Sequence, residues 1–150
     1  MIYTILLMIQ MIVGVNTNFD KIQSENSNGN VIVHVTDIPE IKGEVLVGIY
    51  DSRRTWRKVK KVLKYEIKKV EDDREVLVLE DIPAGTYAIA IFQDFNGNRK
   101  FDYNWVGVPK EPFGFSTNFM VNNRAPRYKE VTFTHPGDQD TEMEIVMQVW

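Results

Sequence analysis

From Val31 onward, apolar and polar side chains alternate with a period of two. That spacing puts every second residue on one face of an extended strand. Val31, Val33 and Val35 share one face, and Ile32, His34 and Thr36 the other. The same rhythm predicts strands over 44–51, with Val45, Val47 and Ile49 on one face, and over 75–80, 86–94 and 128–134. A last strand is expected over 142–150, where Met143, Ile145, Met147 and Val149 alternate with mostly polar residues. One of its faces should therefore be solvated. Turn formers separate the strands: Asp37-Ile38-Pro39 with Gly43, Asp81-Ile82-Pro83-Ala84-Gly85, and His135-Pro136-Gly137-Asp138.

Segment 53–69 carries two patterns. Trp56, Val59, Val62 or Leu63, Ile67 and Val70 fit a helical stripe, whereas Leu63, Tyr65 and Ile67 fit a strand. The acidic turn Glu71-Asp72-Asp73 ahead of a clear strand suggests a hairpin, so 63–70 is read as a strand. Arg53, Arg54, Arg57, Lys58, Lys60, Lys61, Lys64, Lys68 and Lys69 crowd this stretch. Lysines commonly defend an edge strand against aggregation; an anionic membrane surface is the alternative partner.

The stretch from Asp37-Ile38-Pro39 through Gly43 to Asp51 is echoed from Asp81-Ile82-Pro83 through Gly85 to Asp94. Each copy is a turn, a glycine, a strand and a terminal aspartate, which suggests equivalent strands in two halves of a sandwich. Six to eight short strands with frequent Gly/Pro turns and no long helix define an all-β chain. The expected architecture is a single immunoglobulin-like or transthyretin-like antiparallel β-sandwich, with a long structured loop after a central strand. A closed barrel is the alternative.

Composition narrows the function classes. A chain of 150 residues is most simply one domain with a real core. A formal charge of −3 points to no nucleic-acid partner. The absence of cysteine excludes disulfides, thiolate metal sites and cysteine nucleophiles. The first fourteen or so residues are mostly apolar, which suits a secretory signal although no Lys or Arg precedes them. An uncleaved anchor and a buried strand are the other readings. The expected division is a signal peptide at 1–16, a flexible leader at 17–30 and the sandwich at 31–150, in a protein exported to the periplasm, the outer-membrane surface or the medium.

The candidate chemistry lies in 85–118, where an apolar strand runs into a loop dense in oxygen-bearing side chains. Calcium takes six to eight oxygens, and alternate positions of a tight loop can point them inward. Asp94, Asn96 and Asn98 occupy the first, third and fifth places, with the Lys100 backbone carbonyl at the seventh and Asp102 at the ninth. Arg99 and Trp105 stand where the helix–loop–helix calcium motif has glycine and glutamate. A strand-to-loop site would instead be completed by Glu111, or less well by Asp51. Asp, Asn and Gly are also ordinary turn formers, so the same loop could need no ion.

Pro109, Pro112, Gly107 and Gly114 keep the following segment from being helix or central strand. Its rings, with those just before and after it, could form a surface for a sugar or peptide; Trp105, Phe113, Phe115 and Ser116 are the binding candidates. Partners would then be a cell-surface or periplasmic protein or a glycan. The favoured reading is that most of the rings fold back and plug the open end of the sandwich. Catalysis has little support: His34 and His135 lack paired spacing, and Ser116 lies in Gly-Phe-Ser-Thr rather than a nucleophile elbow. A small hydrolase using the carboxylates of Asp94, Asp102 or Glu111 is the remaining alternative, disfavoured by the short chain.

Gly85, Tyr87 and Ala88, then Asp94, Asn96, Asn98 and Asp102, then Gly107, Pro109, Glu111, Gly114, Phe115 and Ser116 resemble the signature of the bacterial domain-of-unknown-function 2141 family. The resemblance covers Val31 to the C-terminus. It implies an exported β-sandwich protein and supplies no established activity. Arg99 departs from it, since a small residue is expected there.

Overall fold

A computed structural model describes residues 28–150. The expected signal segment at 1–16 and the leader as far as residue 27 lie outside the described residues. Eight strands follow in order: β1 (Val31–Thr36), β2 (Glu44–Tyr50), β3 (Lys64–Lys69), β4 (Glu75–Leu79), β5 (Gly85–Asp94), β6 (Phe113–Phe115), β7 (Thr132–His135) and β8 (Thr141–Val146). Among the described residues the only helical pieces are three single 3-10 turns, and no helix is long and apolar enough to cross a membrane.

The strands form two sheets packed as a sandwich. One is three-stranded in the order β4-β1-β8; the other is five-stranded, β3-β2-β5-β6, with β7 also on β5. Burial follows the alternation read from sequence. Val31, Val33 and Val35 of β1 and Val45, Val47 and Ile49 of β2 are fully buried, joined by Leu77, Leu79, Ile89, Ile91 and Ile145. On the other face of the smaller sheet, Val76, Val78, Glu142 and Glu144 are exposed, as expected for a one-sided sheet. Every ladder is antiparallel except β1–β8, which is parallel with Val31 beside Thr141.

The two echo strands correct one expectation. β2 and β5 are not counterparts in opposite layers but direct antiparallel neighbours, with Glu44 beside Asp94 and Tyr50 beside Ala88. The local likeness is nevertheless real. Asp37 and Asp81 both take φ of 56°, the left-handed region that short polar side chains tolerate, and Ile38 and Ile82 are both buried behind them.

Three boundaries differ from the reading of the pattern. Tyr128–Glu130 is a 3-10 turn and only Thr132–His135 is strand. Glu130 there accepts from the Arg127 N–H at 2.6 Å and from the Arg124 guanidinium at 2.8 and 2.9 Å, closing the turn. β8 stops at Val146, after which Met147 binds the Thr36 carbonyl and Gln148 pairs with Phe113 of the other sheet. The helical stripe in 53–63 amounts to the single turn Val59–Lys61.

The sandwich is closed along its β3–β4 side by lysines. Lys64 donates to the Glu80 carbonyl, and Lys68 lies 2.9 Å from the buried Glu75 carboxylate. β3 is thus a lysine-bearing edge strand. Asn28 and Asn30, at the end of the expected leader, bind the 81 and 140 turns: Asn28 reaches Asp81 at 2.9 Å, and Asn30 N–H reaches Asp140 at 2.7 Å.

Candidate functional site

β5 delivers Asp94 to the start of the loop in a fully buried position. The turn before β2 must pass very close to it. A Cβ on Gly43 would fall 2.0 Å from the Asp94 carbonyl oxygen, and Gly43 has φ of +68°, so only glycine serves there. The Asp94 carboxylate then templates the bend. One oxygen accepts the N–H groups of Asn96 at 3.1 Å and Gly97 at 2.7 Å, and the other accepts that of Arg99 at 2.6 Å. Arg99, where a small residue was expected, adopts the left-handed φ of 56°. The loop closes tightly around an unfavourable residue type.

The next acceptors repeat the motif on a smaller scale. Asn96 Oδ1 takes the Asn98 N–H at 3.0 Å, and Asn98 Oδ1 takes the Lys100 N–H at 2.7 Å. Both Asn side-chain amides point at one oxygen of Asp102, at 2.7 and 2.8 Å. Glu111, also buried, spans the base: it accepts from Phe95 N–H and from Asp102 N–H, each at 3.0 Å. Asp94, Asn96, Asn98, Asp102 and Glu111 therefore form one connected cluster, to which Lys100 contributes its backbone. Asp51 is excluded from it, since it follows Tyr50 at the far end of the β2–β5 ladder.

Electrostatically the cluster is unbalanced. Burial pushes the Glu111 carboxyl above its usual range, and the charges of Asp94 and Asp102 push the same way against the two N–H donors. Among the described residues no Lys, Arg or His makes an ion pair with Asp94, Asp102 or Glu111. Among the described residues no three His, Cys, Asp or Glu side chains are arranged to hold a metal by themselves. A cation here would need the Asn and backbone oxygens as well.

The aromatic candidates separate. Trp105 stands at the loop tip, 95 % exposed, beyond the Tyr103–Pro109 bridge. Phe113 and Phe115 are buried on β6. Ser116 is buried too, and its role is legible in the ladder. β5 pairs with β7 through Ala88 and with β6 from Ala90, which leaves Ile89 between them. Ser116 Oγ accepts the Ile89 N–H at 2.9 Å and donates to the Val131 carbonyl.

The outward face of the larger sheet carries a groove that the sequence pattern does not predict. Gly48 of β2 and Ala90 of β5 lie side by side in its floor, flanked by Leu46, Phe92 and Phe115. One wall is Trp56 to Val62 and the other Arg99 to Tyr103. Trp56 is fixed by its Nε1 bond to the Pro126 carbonyl at 2.9 Å and by an edge contact with Tyr50 at 5.3 Å. The clue in the sequence is that β2 and β5 are apolar on both faces, a pattern that calls for cover on each side.

Fold and loop together define a small, all-β, two-sheet module with a polar loop at one end of its central strand. The chain belongs to the family described as an uncharacterized protein conserved in bacteria (DUF2141), whose match covers residues 33–144. Neither a curated protein nor a solved structure gives a match.

Proposed function

We propose that this chain is an exported, non-catalytic module with a binding or structural role, and that a weakly held calcium ion sets its 94–111 loop. The observation that carries the reading is the hydrogen-bonded cluster of Asp94, Asn96, Asn98, Asp102 and Glu111, in which two of the three carboxylates are buried and none is paired to a cationic side chain among the described residues. Unpaired buried carboxylates are costly, and backbone N–H groups offset only part of that cost. An all-oxygen set of Asp, Asn, Glu and carbonyl groups suits a hard cation. The two Asn amides that now face Asp102 would turn their oxygens inward to share it. Export is supported by the apolar N-terminal run. The sugar- or peptide-binding alternative through Trp105, Phe113, Phe115 and Ser116 draws less support, because these residues do not share a surface.

With so few carboxylates the affinity should lie near 10⁻³ M, roughly that of extracellular calcium modules. At about 10 mM calcium such a site adds about 1.4 kcal/mol. For a domain of this size that is a Tm rise of about 3–5 °C. Asp102→Asn is the clean variant: it keeps an acceptor for the two Asn amides but removes the charge. Asp94→Ala would also strip three backbone N–H groups of their partner. The rise should appear in the parent protein and vanish in Asp102→Asn. A Tm indifferent to calcium, or an undiminished rise in the variant, would refute the ion.

A further inference from the structure

The groove between Trp56 to Val62 and Arg99 to Tyr103 has a volume of about 640 Å³, within the range of small-molecule sites. Its floor is dry chemistry: Gly48 and Ala90 side by side, with Leu46, Phe92 and Phe115 around them. Ala90 keeps the floor low on the β5 side, while above Gly48 a Cβ would meet the Val62 methyl at 3.1 Å and the Tyr50 ring at 3.4 Å. Its charged lining is one-signed. Arg57, Lys58 and Arg99 line it and no Asp or Glu does. Among the described residues Arg57 and Lys58 make no ion pair, and Arg99 reaches Glu44 only at 3.9 Å.

We infer that this groove binds a single-chain amphiphile with an anionic head, a long-chain carboxylate, its tail over Ala90 between Leu46 and Phe92 and its head at the Arg57–Lys58 wall, while Arg99 stands on the opposite wall beside Glu44. Burying the tail supplies a driving force proportional to apolar area. The cations supply orientation, since an acid gains charge-assisted bonds that an alcohol of the same length does not. A sugar would demand many polar partners, whereas this floor offers almost none. The inference rests on the reading of the chain as a binding module and does not require the ion, although Arg99 belongs to the loop that the ion would set.

The test is titration calorimetry of the full chain with tetradecanoate below its micellar concentration, beside tetradecan-1-ol and tetradecyltrimethylammonium. The expected result is one saturable site for the acid, with the alcohol weaker and the cation weakest. Arg57→Glu with Lys58→Glu, both exposed positions, should weaken the acid by about tenfold or more, the loss of one charge-assisted bond, and leave the alcohol unchanged. Ala90→Leu should weaken acid and alcohol alike by filling the floor. If Ala90→Leu does not fold, the double charge variant decides alone. No saturable site, equal affinity for all three probes, or acid binding untouched by charge reversal overturns the inference. So does sedimentation showing a dimer that excludes the acid. Repeating the titration in EGTA separates the two proposals. Acid binding without a calcium effect on Tm defeats the ion only; a calcium effect without acid binding defeats the groove only.

Discussion

Glu111 sits where an ionised carboxylate is least stable, buried and within the field of Asp94 and Asp102, and the consequence is a pH dependence of definite sign. Its folded pKa lies above the ordinary value of 4.5, so the native state binds this proton more tightly than the unfolded chain. Stability from this group is therefore present at low pH and declines as pH rises from 4.5 through the folded value. Relative to Glu111→Gln, the parent protein in EGTA should lose unfolding free energy across that window, as measured by urea titrations at several pH values. A relative gain would show the two N–H donors to be the stronger influence. Calcium and the proton compete for the same charge, so the calcium-induced Tm rise should grow with pH over the same interval. Glu130 behaves oppositely. The Arg124 guanidinium and the Arg127 N–H hold its pKa down to about 2, so its contribution, small because the pair is exposed, is present above 4.5 and is lost as pH falls from there through about 2.

Among the elements, β5 does the most to organise the molecule, because its two edges meet three partners. β2 runs along one side, while β7 and β6 share the other and leave Ile89 at the seam. Ser116 covers that gap from a buried position. Ser116→Ala should remove about 1–3 kcal/mol, the cost of an unsatisfied buried N–H, in urea unfolding. Native-state hydrogen exchange should place the weakened protection at Ile89. A loss spread evenly over β5 would argue against this role. Strand identity was readable from sequence because burial on one face imposes a two-residue period, as in β1 and the inward side of β2. Strand partnership was not: the likeness of β2 and β5 reflected shared turn grammar, which does not say whether two strands stack or pair. The loop at Asp94 was readable as a cluster because its ligand-like spacing is local. The groove was not, because its walls come from segments some forty residues apart and its floor from strands whose outward faces look like core. The role of Ser116 is not legible in the chain alone, since the seam it fills exists only once β6 and β7 dock.

The molecule as a whole is two sheets that cannot part without losing each other's cover. Inward residues of both sheets make one hydrophobic cluster, and Ile145 of the smaller sheet approaches Gly114 of the larger so closely that a Cβ there would fall 2.8 Å from its methyl. The strand edges are tied on one side by Lys64 and Lys68 and on the other by Phe113 with Gln148, whose backbone bonds measure 2.9 and 2.7 Å. Ile145→Ala should lower stability by about 2–5 kcal/mol through the cavity it leaves. The sheets should still melt together, with far-UV dichroism and exchange of β1 and β5 amides giving one midpoint. Two separate transitions would show that the layers fold as independent units.

The parallel seam between β1 and β8 also bears on how the protein is made. Residues 31–36 emerge from the ribosome about a hundred residues before 141–146, the segment that shields their second edge. Until the last part of the chain arrives, three consecutive inward valines have an open flank, and closing so wide a loop is slow. The unfinished polypeptide is therefore a poor folder and a ready target for holding factors, and truncation just short of residue 141 should yield insoluble material rather than a smaller domain.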